Sequence, residues 1–436
     1  DWSSDVCSSD LLEQSSGNFV ESSTILYGGV VNKERQLPLV YDGLKPVYRR
    51  AIYAAIKFGG EHVKTAKLVG EMISNLHPSG DASCVPVISN LVHYGILDGR
   101  GNHGIKKLDG QTKPHAAPRY TEAWISSKYD KIFKPLLDYV PWRETDLSST
   151  EPCYLPTPIP LCMTFGLLGI GHGVLTRIPC FTAKSLFEAF IHDDPTLLKA
   201  PYGLEIDQEA SELDRLWRTG LGKVTYSYKV YQGKSDDGTR GTYIEGIPEY
   251  FTPDIGAFDE WRDSNKLFVN DETDREHSRI FIGKNPNIRV ISLDEIYELA
   301  WGAARYTKSY RLSVAFKDYV CLIPLREWIK LTYENYLSLV EKYKTDQLGK
   351  LQRQEQIFLH AKEVADEFLK DTEKTNEQIA EALSLDQWIV DAVMKKSINS
   401  LRRTDYEPKL ASVREKIKSF KSLDAKEYTA NIVSEL

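Results

Sequence analysis

Residues 118–122 of the chain read Pro-Arg-Tyr-Thr-Glu, and the rest of the sequence is best understood outward from this stretch. Tyr120 stands beside Arg119 and follows a glycine-rich segment, residues 99–104. A phenol can act as a nucleophile, and a guanidinium offers phosphate oxygens a fixed fork of hydrogen-bond donors. Arg-Tyr pairs are common on ordinary surfaces, so the neighbours must decide between a phosphodiester-cleaving site and a plain surface tyrosine.

The length and composition predict a globular protein of two or three domains. The chain has 436 residues, of which 42% are hydrophobic and 27% charged, so sizeable cores can be buried. Its six cysteines form no CxxC pair and its nine histidines form no HExxH motif, which argues against a metal site made by this chain alone. No apolar run is long enough to span a membrane.

Charge is unevenly distributed along the sequence. The net charge is −7, but residues 31–70 carry eight basic and three acidic side chains, and residues 101–135 carry seven basic and three acidic ones. Two basic stretches that flank Tyr120 are the electrostatic pattern of a surface that binds a phosphate backbone. An ordinary solvated surface is the alternative that charge alone leaves open.

The first eleven residues do not resemble natural protein sequence. Residues 1–11 read DWSSDVCSSDL, without helical or strand periodicity and without the cationic start of a signal peptide. They look like the translation of a sequencing-library adapter, and we exclude them from the fold prediction. The natural N-terminus is therefore expected to be truncated.

Short helices are predicted before the tyrosine. Apolar residues recur at helical spacing over Val47–Phe58, a second helix is predicted from about Lys64 to Leu76, and Asp81 is a candidate N-cap of a third. Short helices followed by a tight turn and a glycine-rich loop favour a helix-turn-helix or winged-helix module.

The sequence pattern changes after residue 150 and again after Pro324. Strand-like runs at Lys223–Val230, Thr242–Ile247 and Arg279–Ile282 predict an α/β domain. After Pro324 glycine and proline nearly vanish, and apolar residues near the C-terminus follow coiled-coil spacing, namely Leu410, Val413, Ile417 and Phe420. The predicted class is α+β, with a winged-helix domain at 12–150, an α/β tower at 151–312, and a long antiparallel coiled coil with a globular tip at 313–436.

Four motifs, in one order, resemble the breakage–reunion subunit of type IIA DNA topoisomerases. They are residues 42–50 (DGLKPVYRR), 77–81 (HPSGD), 98–104 (DGRGNHG) and 116–122 (AAPRYTE). The resemblance covers nearly everything after residue 11. The chain stops after the coiled coil, which is closer to the short medium subunits of bacteriophage enzymes than to a full gyrase A subunit.

The resemblance implies roles for individual residues. Tyr120 would attack a DNA phosphate and become a 5′-phosphotyrosine, while nearby cations stabilise the charge that develops on the phosphate. The implied catalytic residues are Tyr120, Arg119, Arg35, Lys45 and His77, and the implied DNA-binding residues are Arg49, Arg50, Tyr48, Ser79 and Ile170. Arg49 would also converge on the phosphate, and Ile170 would wedge between base pairs and bend the duplex. A core position for Ile170 is the alternative.

Two positions depart from the family pattern. Ser79 stands where the family usually has a histidine, and a hydroxyl donates a hydrogen bond but cannot serve as an acid or base near pH 7. His77 is two residues away and could take that role, or it could be a turn-capping residue. Tyr48 stands at a position that is often His or Gln in the family. This change is mild, because a tyrosine can still contact the DNA backbone.

Further components are expected from other chains. The sequence contains no GxxxxGK[ST] motif and no acidic cluster for Mg²⁺, so ATP and Mg²⁺ are expected on a partner subunit. The resemblance implies a homodimer through the DNA-gate domain and the coiled-coil tip, a heterotetramer with the ATPase subunit, double-stranded DNA as substrate, and action in the cytoplasm of a bacterium or phage-infected cell. The sequence shows no C-terminal DNA-wrapping domain, so relaxation and decatenation without strong negative supercoiling are expected.

Two other functions compete with this interpretation. A cleavage-inactive DNA clamp or architectural protein would keep the fold, and Ser79 keeps that alternative open. A tyrosine recombinase would need a scattered Arg/His set ahead of a C-terminal tyrosine, and the early position of Tyr120 argues against it.

Overall fold

The structure is a computed structural model. It describes residues 16–60, 62–77, 80–106, 112–201, 203–209, 211–246, 263–265, 267–272, 279–284, 291–395 and 406–436. The described helices and strands confirm the predicted α+β class. They fall into two compact units, of which the first runs to Asn335 and includes Val433–Leu436, and the second is Tyr336–Ile432. The finer boundaries at residues 150 and 312 stay predictions, and residues 1–11 lie outside the described part.

A group of helices precedes the tyrosine. These are α1 (Ser16–Val31), a π-helical turn (Asn32–Gln36), α2 (Pro46–Phe58), α3 (Thr65–Glu71), a second π-helical turn (Met72–Leu76) and α4 (Asp81–His93). The predicted helix over Val47–Phe58 is confirmed as α2, which begins at Pro46 because proline suits the first helical turn. The predicted N-cap at Asp81 is wrong, since Gly80 caps α4 and Asp81 is its first residue. Its carboxylate still lies at the positive end of the helix dipole.

Short strands follow α4 and surround residues 118–120. They are β1 (Leu97–Arg100), β2 (Ile105–Lys106), β3 (Thr112–Lys113) and β4 (Glu122–Ile125), with β1 antiparallel to β4 and β2 to β3. Then come α5 (Ser127–Phe133), a 3₁₀ helix (Lys134–Tyr139), and the hairpin of β5 (Trp142–Glu144) and β6 (Thr150–Pro152). The β1–β4 pairing holds the segment just after Tyr120 in place.

Two antiparallel sheets build the middle of the first unit. Their elements are α6 (Cys162–Phe165), β7 (Leu167–Ile170), β8 (Leu175–Ile178), α7 (Ala183–His192), a 3₁₀ helix (Pro195–Leu197), β9 (Glu205–Ile206), α8 (Leu213–Thr219), β10 (Leu221–Ser227), β11 (Lys229–Lys234), β12 (Arg240–Glu245), β13 (Phe268–Asp271), β14 (Arg279–Gly283), α9 (Leu293–Ala303), β15 (Arg305–Arg311), β16 (Ser313–Ala315) and β17 (Val320–Leu322). The strand orders are β7-β8-β15-β10-β9 and β11-β12-β14-β13, and β16 pairs with β17. The predicted strand over Lys223–Val230 is two strands, because the chain leaves the first sheet after Ser227 and enters the second at Lys229.

A 46-residue helix, α10 (Leu325–Lys370), continues from the first unit into the second. The other helices after it are α11 (Asn376–Leu383), α12 (Gln387–Met394), α13 (Tyr406–Ser422) and α14 (Ala425–Glu435). The rings of Tyr343 and Phe420 meet at 5.8 Å, and Arg414 pairs with Glu355 at 2.7 Å. Residue numbers rise along α10 as they fall along α13, so these two helices run antiparallel.

Apolar side chains from three helices form a separate core in the second unit. The fully or nearly fully buried members are Ala361, Val364, Ile379, Ala380, Ile389, Val390 and Val393. The entry to α11 is fixed by a capping box, in which Thr375 accepts from the amide of Gln378 and the Gln378 side chain accepts from the amide of Thr375. Across the described ranges, no helix is both long and apolar enough to cross a bilayer.

Candidate functional site

Tyr120 is a solvent-facing side chain on a short, well-defined turn. Residues 118–120 form a 3₁₀ turn in which the amide of Tyr120 donates to the carbonyl of Ala117 over 2.9 Å. The Tyr120 side chain is 65% exposed. The guanidinium carbon of Arg119 lies 4.9 Å from the centre of the Tyr120 ring. The phenol is therefore accessible to a macromolecular substrate, with a permanent cation beside it.

The backbone at the C-terminal end of this turn lies between the glycine-rich loop and α3. Gly101 has a positive φ of 95°, and a Cβ at this position would lie 2.8 Å from the carbonyl oxygen of Tyr120. Only glycine fits such a close approach without displacement. On the other side, the hydroxyl of Thr121 donates to Thr65 over 2.8 Å, and the amide of Thr65 donates to the carbonyl of Thr121. The exposed phenol thus sits on a restrained backbone.

Lys45 and Ile170 are both associated with the β7–β8 hairpin. The Lys45 ammonium donates to the carbonyl of Leu168 over 2.8 Å, and burial lowers the pKa of this lysine to about 8. Ile170 ends β7 and is 67% exposed. It pairs in register with Leu175, which is also exposed. The alternative of a core position for Ile170 is wrong, because most of its side chain is exposed to solvent.

The π-helical turn after α1 clamps the same hairpin. The Asn32 side chain accepts from the amide of His172 over 2.7 Å and donates to its carbonyl over 3.0 Å. A Cβ on Gly169 would lie 2.3 Å from the carbonyl oxygen of Gln36. This close approach needs a glycine, and it fixes the direction in which Ile170 projects.

Arg35 and His77 line a polar cavity of about 320 Å³. The other lining residues are Val30, Glu34, Arg50, Arg143, Glu144, Thr145, Asp146 and Glu151. Burial, together with the charges of Arg50 and Arg35, lowers the pKa of His77 to about 4. His77 is therefore neutral at pH 7. It also caps the preceding π-helical turn, since its amide donates to the carbonyl of Met72, so the turn-capping alternative is confirmed together with its place in the cavity.

Three predicted DNA-binding residues are buried inside the protein, and their DNA-binding role stays a prediction. Arg49 is buried and forms a two-pronged pair with Asp42, with Nε to Oδ2 at 2.6 Å and Nη2 to Oδ1 at 3.0 Å. Arg50 is buried against Glu151, at 2.8 and 3.0 Å. The buried ring of Tyr48 stacks on Phe165. The two guanidinium groups and the ring therefore have partners inside the protein.

The predicted residues fall into separate places. Arg35 and His77 share the cavity, Lys45 and Ile170 share the hairpin, and Arg119 and Tyr120 share the 3₁₀ turn, whose residues do not line the cavity. Ser79 lies outside the described residues.

Sequence reasoning missed the acidic partners of the two arginines. Asp42 is fully buried and also accepts from the amides of Leu44 and Leu155. Glu151 is 3% exposed and bridges Arg50 and Arg143. Glu151 stands at the start of an apolar run. An acidic residue in such a run indicates a buried ion pair, and this was the sequence signal for it.

The described residues do not supply a metal site. No group of three or more His, Cys, Asp or Glu side chains among them is placed to hold a metal ion. Two of the four acidic residues that line the cavity, Glu34 and Glu151, form ion pairs with Arg143.

Comparisons with known proteins agree on one family. The sequence model for the A subunit of DNA gyrase/topoisomerase IV matches residues 35–436. The A subunit of DNA topoisomerase 4 from Haemophilus influenzae is 28% identical over 68% of this chain and 42% of its own length. The A subunit of DNA gyrase from Ureaplasma parvum is 34% identical over 55% of this chain and 31% of its own length. The chain thus spans well under half of the length of these relatives.

Proposed function

The chain belongs to the family of DNA gyrase/topoisomerase IV A subunits, and we propose that it is the DNA-cleaving and rejoining subunit of an ATP-dependent type II topoisomerase. The observation that carries this proposal is the exposed phenol of Tyr120 on a restrained turn, with the Arg119 guanidinium against its ring. Both residues lie within the part of the chain that matches the family.

The reaction is a transfer of a phosphodiester from DNA to the tyrosine and back. The Tyr120 oxygen forms a bond to phosphorus and loses its proton, while the bond to the 3′ oxygen of the neighbouring nucleotide breaks and that oxygen takes up a proton. The 5′ end of the strand is then held as a phosphotyrosine. The new ester keeps the energy of the old one, so the 3′ hydroxyl can reverse the step without another energy source.

Charge stabilisation is assigned to three cations. Negative charge grows on the phosphate oxygens during the attack, and preorganised donors lower the barrier. Arg119 is next to the nucleophile, and Arg35 is exposed at the cavity that contains His77. Lys45 is mostly protonated at pH 7 with a pKa of about 8. We assign these three to phosphate contacts, whereas Arg49 and Arg50 support the fold around them.

The β7–β8 hairpin is assigned to DNA bending. Ile170 projects into solvent from a hairpin that Asn32 and Lys45 hold in position. An apolar side chain that enters a base-pair step gives up stacking energy and gains a kinked duplex with more protein contact. The segment that supports this hairpin, residues 31–70, is rich in basic side chains. This positive charge favours DNA over an apolar protein as the partner of the hairpin.

The remaining components are assigned to other chains or copies. A symmetric dimer would place two copies of Tyr120 on opposite strands, so that one duplex opens and a second passes. The helices before Tyr120 would form a winged-helix DNA gate, the two sheets a tower, and the antiparallel α10 and α13 a coiled coil that ends in a dimerising tip. A partner subunit would bind ATP and Mg²⁺ and complete a heterotetramer in the bacterial cytoplasm, with relaxation and decatenation as its activity.

A plasmid cleavage assay tests the proposal. The full chain is mixed with a matching ATPase subunit, Mg²⁺ and supercoiled plasmid, and the reaction is stopped with denaturant. We expect linear DNA that carries protein on its 5′ ends. Tyr120→Phe should abolish this product, because the variant keeps the ring and loses the attacking oxygen.

A second tyrosine provides the matched control. Tyr319 is also exposed, at 57%, and Tyr319→Phe should cleave as the unmodified chain does. Tight DNA binding without cleavage, with a partner shown to bind the chain, would instead establish a DNA clamp.

A further inference from the structure

A line of ion pairs connects His77 to the β5–β6 hairpin. We call it the charge network, and it consists of Glu34, Arg143, Glu151, Arg50 and His77. Arg143 donates to both oxygens of Glu34, at 3.1 and 3.0 Å, and its Nε donates to Glu151 over 3.0 Å. Glu151 accepts in turn from Nε and Nη2 of Arg50, and Nη1 of Arg50 lies 3.0 Å from Nδ1 of His77.

This geometry settles which nitrogen of His77 carries the proton. A guanidinium has only donors and stays protonated. Arg50 must therefore donate to Nδ1 of His77, and Nδ1 must be the unprotonated, accepting nitrogen. The ring is neutral, with its hydrogen on Nε2. Among the described residues, Arg50 is the hydrogen-bond partner of this ring. Nε2 remains as a donor for a group that enters the cavity.

Glu151 is the residue that sets the position of Arg50. It is 3% exposed, and its two oxygens occupy two of the three nitrogen atoms of the Arg50 guanidinium. Two-pronged pairs of this kind fix both the plane and the rotation of the guanidinium. Arg143, opposite Glu151 on the antiparallel hairpin, holds the carboxylate from the other side. The third nitrogen of the Arg50 guanidinium, Nη1, is then held in a position that points toward His77.

We propose that Glu151 is a positioning residue of the cleavage site, which holds Arg50 so that His77 is kept as a neutral Nε2–H donor to a DNA phosphate oxygen. The proposal rests on the proposed function for the phosphate, but the tautomer of His77 is a property of the chain alone. His77 then acts as a fixed hydrogen-bond donor. It neither removes the proton of Tyr120 nor supplies one to the 3′ oxygen.

The test combines a spectroscopic and a kinetic measurement. The full chain with ¹⁵N-labelled histidine is studied by NMR, and the ring signals of His77 are assigned by their loss in His77→Gln. We expect a proton on Nε2 and none on Nδ1 at pH 7. In Glu151→Gln the fixed Arg50 contact is lost, and the two neutral tautomers should exchange. The cleavage rate of this variant should fall between about tenfold and a hundredfold, with little change in DNA affinity.

Two further variants keep the test decisive. Glu71 pairs with Lys57 over 2.7 Å in the same unit and is not part of the charge network, so Glu71→Gln should leave the tautomer and the rate unchanged. His77→Gln keeps an N–H donor near the position of Nε2 and should retain more cleavage than His77→Leu, whereas an acid or base role would make both equally inactive. This pair does not depend on the stability of Glu151→Gln.

Several results would overturn the proposal. They are a proton on Nδ1 in the unmodified chain, a slower Glu151→Gln variant with an unchanged tautomer, or equal loss in His77→Gln and His77→Leu. If the unmodified chain never cleaves DNA with its partner while the tautomer is as expected, the proposed function fails and the tautomer assignment stands.

Discussion

The ammonium group of Lys45 donates a hydrogen bond to the backbone carbonyl of Leu168 over 2.8 Å. This contact joins the start of α2 to the hairpin that presents Ile170. Lys45 is a predicted phosphate-binding residue and Ile170 is a predicted wedge. Because this hydrogen bond links α2 to the hairpin, we expect a substitution at either residue to alter the position of the other.

The charge of Lys45 predicts a pH dependence of DNA binding. Burial lowers its pKa to about 8, so its positive charge is lost as pH rises from 7 to 9. We expect DNA affinity at fixed salt to fall over this range by a few-fold. Lys45→Arg keeps the charge at every pH used and should flatten the profile. Fluorescence anisotropy with a short duplex measures both, and an identical slope in the two proteins would contradict the prediction.

The buried pair of Asp42 and Arg49 predicts a large stability effect. Asp42→Ala removes the partner of a buried guanidinium and two backbone contacts, and should lower the free energy of unfolding by about 3–5 kcal/mol. Urea denaturation followed by circular dichroism measures this.

An exposed pair is the control for that prediction. Asp214 and Arg218 meet at 2.9 Å with both side chains about two-thirds exposed. Asp214→Ala should therefore change the free energy of unfolding by less than about 1 kcal/mol. Equal effects of the two substitutions would mean that Arg49 is not buried in the folded protein.

Ile170 predicts a loss of function without a loss of stability. Its side chain is 67% exposed, so Ile170→Ala should leave the unfolding midpoint nearly unchanged while it reduces DNA bending and cleavage. Energy transfer between dyes at the two ends of a duplex measures the bend.

The same hairpin offers the opposite case. Ile178 is fully buried, and Ile178→Ala should lower the free energy of unfolding by about 2–4 kcal/mol. An Ile170→Ala variant that bends DNA normally would exclude the wedge.

The local sequence pattern predicted helices such as α2, but it did not predict that two arginines of this helix are buried. The apolar spacing after Pro46 predicted α2, in which eight of the thirteen residues are buried. The same helix turns Arg49 and Arg50 inward, and the latter meets a carboxylate 101 residues away, which no local pattern reveals. The sequence also left Ile170 open between core and surface, since only the pairing of β7 with β8 decides which side it faces.

Mass spectrometry of the trapped complex tests whether Tyr120 forms the covalent bond to DNA. The full chain, its ATPase partner, Mg²⁺ and plasmid are stopped with denaturant, then digested with nuclease and protease. We predict a peptide containing residues 118–122 that carries a 5′-linked nucleotide on Tyr120, absent in Tyr120→Phe and present in Tyr319→Phe. A nucleotide on another residue, or its persistence in Tyr120→Phe, would contradict the account.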